Sequence, residues 1–205
     1  MSGSTTFEDL LRRRRMVRHY LREPVDRETL ERVVRTVRRA PSAGFSQGQR
    51  LLVVSEQPLL DELAAWEQRE APEGVEPWFG TAAAHVLVLV REDDYHDRYR
   101  EPDKLQDGAE IEWPVPFWFV DAGAALMLIL LAAIDEGLAA GVYGIPREDE
   151  AFVRGLLKIP SDLAIVAGVT LGKPAPDPEW STRASRFTRR RRRLDDLVRW
   201  QSWGA

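Results

Sequence analysis

No cysteine occurs among the 205 residues. That absence excludes disulfides, thiolate nucleophiles and cysteine-ligated metal, and it fits a reducing, cytoplasmic compartment. Histidine is nearly as scarce. His19, His85 and His96 are scattered, with no HExxH pairing, so no metal site is expected. Walker A, GxGxxG and GxSxG sequences are also missing, which leaves zinc-hydrolase, P-loop and Rossmann readings without support and provides no nucleophile elbow. Long apolar runs are lacking too. The longest, Ala122–Ile134, is bracketed by Asp121 and Asp135. It falls short of the roughly 20 residues that a bilayer span needs, and is expected to be a helix buried on every side, in a core or a subunit interface. The opening MSGSTTFEDL lacks the basic-then-apolar order of a secretory signal.

What is present is ordinary in bulk and uneven in detail. The chain is 44% apolar and 30% charged, with 29 basic and 33 acidic residues. Such a composition describes a globular protein and gives no general attraction to nucleic acid; neither nucleic acid nor membrane is an expected partner. The length suits a single domain, 1–205, with an excursion at about 92–118. Positive charge nevertheless gathers at both ends, as Arg12–Arg15 with Arg18 and as Arg189–Arg193. A charge run is usually a solvated face. Two runs from opposite ends can also converge on one phosphate, for which the planar guanidinium fork is suited. Separate contacts to nucleic acid are a third possibility. Against that, neither run is interleaved with aromatics and no helix-turn-helix or RNA-binding signature is present.

Thr6-Phe7-Glu8-Asp9 forms a capping box for a first helix. Asp26 caps a second, in which Leu30, Val33, Val34 and Val37 follow helical spacing until Ala40-Pro41. Strands are expected at Leu51–Val54, Ala82–Arg91 and Ala164–Leu171, and helices near Leu59–Glu67, Val120–Glu136 and Glu148–Leu157. His85 is expected to be a satisfied core residue. Gly137 and Gly141 should break the long apolar helix, leaving a short extended stretch at Val142–Ile145. Glu92–Phe117 is expected as a long loop, and the basic tail ends in an amphipathic stretch, Leu194–Val198. Helices and strands alternate without a strict βαβ rhythm, so the fold class is α+β, one sheet with helices around it. Two stretches carry open readings. Pro41–Gly48 is either a plain serine-glycine turn or a place where a planar ligand approaches the backbone. Glu136–Gly144 is either a helix C-cap or a turn that exposes backbone amides.

Taken in order, RRMVRHYLREPVDRETLERVV, APSAGFSQGQRLLVV, DAGAALMLILLAAIDEGLAAGVYG, LLKIPSDLAIVAGVTLGKPA and RRRRRLDDLV resemble the FMN-dependent nitroreductase family over about residues 7–198. The resemblance implies a nitroreductase-like fold, a mainly antiparallel central sheet surrounded by helices, in an intertwined homodimer. It implies FMN as cofactor and NAD(P)H as co-substrate, a ping-pong transfer, and a small-molecule electron acceptor that is aromatic or conjugated. No protein acid or base is obligatory, because the flavin carries the chemistry. Carried onto this chain, Arg14, Arg15, Met16 and Arg18 with Arg189 and Arg191 would meet the flavin phosphate. Pro41, Ser42, Ala43 and Phe45 would line the ring, partly from the neighbouring subunit. Gly141, Val142, Tyr143 and Gly144 would lie near its other face.

Departures from the family pattern are informative. The family often has Asn where Phe45 stands, and Gln-Pro-Trp where Gln47-Gly48-Gln49 stands. Gly44-Phe45 is similar to the flavin-destroying branch that makes the lower ligand of cobalamin, but that branch has an Asp where Met16 stands. The excursion, with Tyr95, His96, Tyr99, Trp113, Phe117 and Trp118, has two readings: aromatics that stack on a flat substrate, or aromatics that pack the excursion onto the dimer partner. A rival functional reading is a flavin-binding or regulatory protein of the same fold without turnover.

Overall fold

The structure, a computed structural model, describes residues 6–71, 77–176 and 191–203. They fall in two compact units, one ending at Ala175 and one beginning at Pro176. The first contains helices α1 (Phe7–Arg13), α2 (Arg27–Arg35), α3 (Gln57–Glu70), α4 (Asp93–Tyr99), α5 (Phe117–Asp135) and α6 (Glu150–Leu157), and strands β1 (Gln49–Val54), β2 (Ala84–Val90), β3 (Ala139–Tyr143) and β4 (Ala164–Gly172). In the second, Leu194–Leu197 form a short helix, α7, and Trp200 and Trp203 are exposed.

The four strands make one antiparallel sheet in the order β1-β2-β4-β3. β2 is buried along its whole length, and its alternation separates two cores, as successive strand side chains point to opposite faces. Ala84, Val86 and Val88 pack with Leu30 and Val33 of α2 and with Ala122, Ile129 and Ala133 of α5. Leu87 and Leu89 pack on the other face with Leu60, Leu63 and Trp66 of α3 and Val153 of α6. The result is a sheet between helical layers, the α+β arrangement expected.

The capping box forms as predicted, with Asp9 N–H donating to Thr6 Oγ1 at 3.2 Å. Three elements differ from expectation. The long apolar helix runs for 19 residues, enough by length and composition to cross a bilayer, yet its Ala122, Ile129, Leu130 and Ala133 pack against the sheet. Nor is it buried on every side: Phe119, Val120, Gly123 and Met127 form an exposed stripe at helical spacing. Gly141 is not a helix breaker but a strand residue, paired with Thr170; the helix already ends at Gly137, which has φ 73°. The excursion opens with a helix, α4, which buries only Tyr95. Its single apolar anchor left too little periodicity to find it.

Candidate functional site

Two segments reach α5 at opposite ends. At its C-terminal end, Arg13 donates to the carbonyl of Ile134 at 3.1 Å, a cation where the helix dipole is negative. Beyond Arg13 the chain leaves the helix and lies along the sheet, Val17 N–H donating to Ala140 O at 2.9 Å. Gly141 permits this approach, since a Cβ there would lie 2.4 Å from Val17 O and 2.8 Å from the Trp78 ring. The Tyr20 hydroxyl donates to Val17 O at 2.6 Å and meets Thr170 Oγ1 at 2.7 Å. Between these ties stand Arg14, Arg15, Met16 and Arg18. Met16 and Arg18 are exposed. Neither Arg14 nor Arg18 is in an ion pair among the described residues. Arg18 lies over the Trp78 ring, 5.4 Å from its centroid, a cation–π contact that orients the guanidinium without neutralising it.

Beneath this arm lies a buried polar cluster. Glu67 accepts the backbone N–H groups of Trp78 and Phe79 at 2.9 and 2.6 Å, and burial raises its pKa. His85 Nδ1 is 2.9 Å from the Tyr143 hydroxyl, while His85 Nε2 has no partner among the described residues. His85 is thus only half satisfied. Burial pushes its pKa down to about 3, so the imidazole is neutral, and burial raises the Tyr143 hydroxyl. The Tyr143 ring lies on Gly168, where any Cβ would overlap it. Of the four predicted residues in this stretch, Gly141, Val142 and Tyr143 lie in β3, and Gly144 stands beyond the strand with open space around it.

The second segment, Pro41–Gly48, meets the N-terminal end of α5. Asp121, 6% exposed, accepts Ala43 N–H and the Tyr95 hydroxyl, each at 2.8 Å. Burial, then the hydrogen bond to Asp121, raises the Tyr95 pKa. Arg98 Nε donates to Gly44 O at 2.9 Å, and the same guanidinium holds both oxygens of Asp103 at 2.7 Å. Gly44, Phe45 and Gln47 all have left-handed backbone, at φ 57°, 64° and 53°. Phe45 is 74% exposed. Ser42 and Ser46 are spent inside the loop, Ser42 Oγ accepting Gln47 N–H at 3.0 Å and Ser46 Oγ donating to Ala43 O at 2.7 Å.

The excursion aromatics pack on one another. Trp113 contacts Tyr95, His96, Tyr99, Phe117 and Trp118, with centroids 4.4 to 6.3 Å apart. Its indole N–H donates to Glu110 at 2.7 Å. Glu110 also binds His96, whose pKa it raises, helped by Glu92. These rings form a small core under the loop.

Of the predicted site residues, then, Arg14, Arg15, Met16 and Arg18 stand beside β3, while Pro41, Ser42, Ala43 and Phe45 stand at the other end of α5. Arg191 is exposed in the second unit, and Arg189 lies outside the described residues. Asp121, Arg98 and Trp78 are absent from the sequence prediction. Asp121 alone left a signal, as the acidic residue that opens an apolar run.

Known proteins share this architecture. A Nitroreductase family model matches residues 11–173. The NADPH-flavin oxidoreductase of Vibrio harveyi is 27% identical over 176 residues, covering 86% of this chain and 68% of its own. Among solved structures, a nitroreductase family protein from Streptococcus pneumoniae TIGR4 superposes with a TM-score of 0.70 at 18% identity, over 95% of this chain and 99% of that one. An FMN-dependent nitroreductase from Clostridium difficile R20291 gives 0.63 at 18% identity, over 82% and 88%. The structural likenesses establish the fold. With the family match extending from α1 to the residue after β4, the chain belongs to the Nitroreductase family of oxidoreductases.

Proposed function

We propose that this protein is an FMN-dependent oxidoreductase that takes electrons from NAD(P)H and delivers them, in a ping-pong cycle, to a small aromatic or conjugated acceptor. FMN, when bound, supplies the two-electron chemistry between nicotinamide and acceptor. The protein's part is to bind, orient and exclude water. Its donor set fits such a group: among the described residues Arg14 and Arg18 are cations without ion-pair partners, on a segment hydrogen-bonded to β3. That observation carries the reading. The two guanidinium groups would hold the phosphate, with Arg15 and Met16 between them. Gly144, open at the end of β3, would let the ring approach backbone, and Pro41–Phe45 would line its other side.

The same layout supports a homodimer. Asp121 and Ile134, the anchors of the two segments, are about 20 Å apart along the α5 axis. The stripe Phe119, Val120, Met127 on the same helix is exposed and apolar, the character of an interface. Two such helices packed antiparallel about a two-fold axis would bring the loop of one protomer to the arginines of the other.

The test is a visible spectrum of the purified protein with added FMN, before and after NADH or NADPH under anaerobic conditions. A bound flavin band that bleaches is the expected result. A bound band that does not bleach with either nucleotide would favour flavin binding without turnover. A protein that ignores FMN would overturn the reading.

A further inference from the structure

Arg14 and Arg18 are alike in having no ion-pair partner among the described residues, but they are not held alike. Arg18 lies 5.4 Å from the centroid of the Trp78 ring, whereas Arg14 touches no ring among the described residues. Trp78 is itself fixed more firmly than packing requires. Its backbone N–H donates to both oxygens of Glu67, at 3.1 and 2.9 Å, and the next N–H, of Phe79, donates to the same carboxylate at 2.6 Å. Its carbonyl accepts the Thr81 hydroxyl at 3.1 Å. The ring stands edge-on to Phe79 and Tyr143, with centroids 5.0 and 6.2 Å away. Gly141 leaves room for it, since a Cβ there would be 2.8 Å from the ring. A ring that only filled space would need no more than its apolar neighbours. Here a half-buried carboxylate is partly desolvated to pin the backbone as well, at a cost in hydration. The result is an indole face with one fixed direction, towards the arginine segment.

An arginine side chain free in solvent must be ordered by whatever ligand captures it, and that ordering weakens binding. An indole face that holds the guanidinium beforehand removes part of the cost. The contact also leaves the charge and the N–H donors of Arg18 free for an anion. We propose that Trp78 is the positioning residue of the phosphate subsite, holding Arg18 in place and so setting how strongly the protein prefers a phosphorylated flavin to one without phosphate. This rests on the flavin reading above. Arg14 has no such platform, so the two arginines contribute unequally.

The first readout needs no flavin. In proton NMR spectra of the FMN-free protein, the side-chain signals of Arg18, identified by their loss in Arg18→Ala, should lie upfield of those of Arg14, identified in the same way, because the ring current of Trp78 shields groups above its face. Arg18 signals without that displacement would overturn the proposal whatever the flavin does. The second readout is affinity, by fluorescence titration with FMN and with riboflavin. Trp78→Leu should weaken FMN roughly 3–5-fold, the size of one exposed cation–π contact, and leave riboflavin unchanged. Trp78→Phe keeps a smaller ring and should recover part of the loss. Trp78→Leu should cost FMN nothing further in an Arg18→Ala background and its full amount in an Arg14→Ala background. A ring that merely supported the fold would weaken both flavins alike, and in both backgrounds; that result, or an FMN affinity indifferent to Trp78→Leu, would overturn the proposal. Should the Leu variant not fold, Trp78→Phe and the displacement of the Arg18 signals carry the test. Wild-type protein that binds no FMN would overturn the proposal together with the flavin reading, and the NMR result tells the two failures apart.

Discussion

The two segments that flank α5 are built on opposite principles. The one at its C-terminal end, Arg13–Tyr20, rests on backbone hydrogen bonds to β3 and to the residues after β4, and its Arg14 and Arg18 have no ion-pair partners among the described residues. The one at its N-terminal end, Pro41–Gly48, places three residues in left-handed backbone and requires a buried carboxylate, an arginine and two tyrosines to keep them there. The first therefore offers charge on a relaxed frame, which suits recognition of a phosphate by any geometry the guanidinium forks can reach. The second offers shape under strain. Charge and shape are thereby divided between the ends of one helix.

The largest expected effect separates the two. Replacing Arg14 and Arg18 together by Ala should weaken FMN by about 3–6 kcal/mol, two charge-assisted contacts at ~1.5–3 kcal/mol each, while riboflavin, which has no phosphate, should bind almost as before. Fluorescence titration with both flavins measures it, and equal losses would refute the assignment. Next is Asp121→Ala, which strands Ala43 N–H and the Tyr95 hydroxyl. Urea unfolding should show a loss of about 3 kcal/mol, with the arginine segment still able to bind inorganic phosphate.

A smaller effect comes from acid and acts beneath the arginine segment. The His85 pKa is about 3 when folded against about 6.5 in the unfolded chain. The unfolded state therefore takes up the proton first. Stability attributable to this residue is constant above about pH 6.5 and falls by about 1.4 kcal/mol per unit as pH drops from there towards 3. Unfolding of the wild type and of His85→Leu across that window should differ by this slope, whatever their absolute stabilities. His96, raised by Glu110 and Glu92, has the opposite sign: its contribution is present below its unfolded pKa and is lost as pH rises through the folded value. The smallest effect concerns the strained end. Phe45→Gly should raise stability by about 0.5–1 kcal/mol, the left-handed penalty less the added entropy of an unfolded glycine. A loss would mean that the phenyl packs on something within the chain.

How far the sequence foretells this molecule depends on where the determining force lies. Periodicity revealed β2 and α5, because their apolar faces are set by the sheet on which they pack. The capping box at Thr6 was legible because all its partners lie within four residues. α4 was not, since a helix with one buried residue has no pattern. Gly141 misled, because a glycine that admits Val17 O is indistinguishable in sequence from one that ends a helix. Phe45 lies in a loop, as its glycine and serine neighbours imply, but the bonds that fix the backbone beside it come from Asp121 and Arg98, which are 76 and 53 positions away and have no local signature.

The bond from Val17 N–H to Ala140 O has a consequence beyond ligand binding. β3 ends the sheet, and an uncovered outer strand is a template on which further chains can add. The segment carrying Arg14–Arg18 lies along that edge, with like charge repelling any second strand. The same arginines thus act as gatekeepers against aggregation. A variant that neutralises all of them should become sticky, with light scattering that rises with concentration even when flavin is absent.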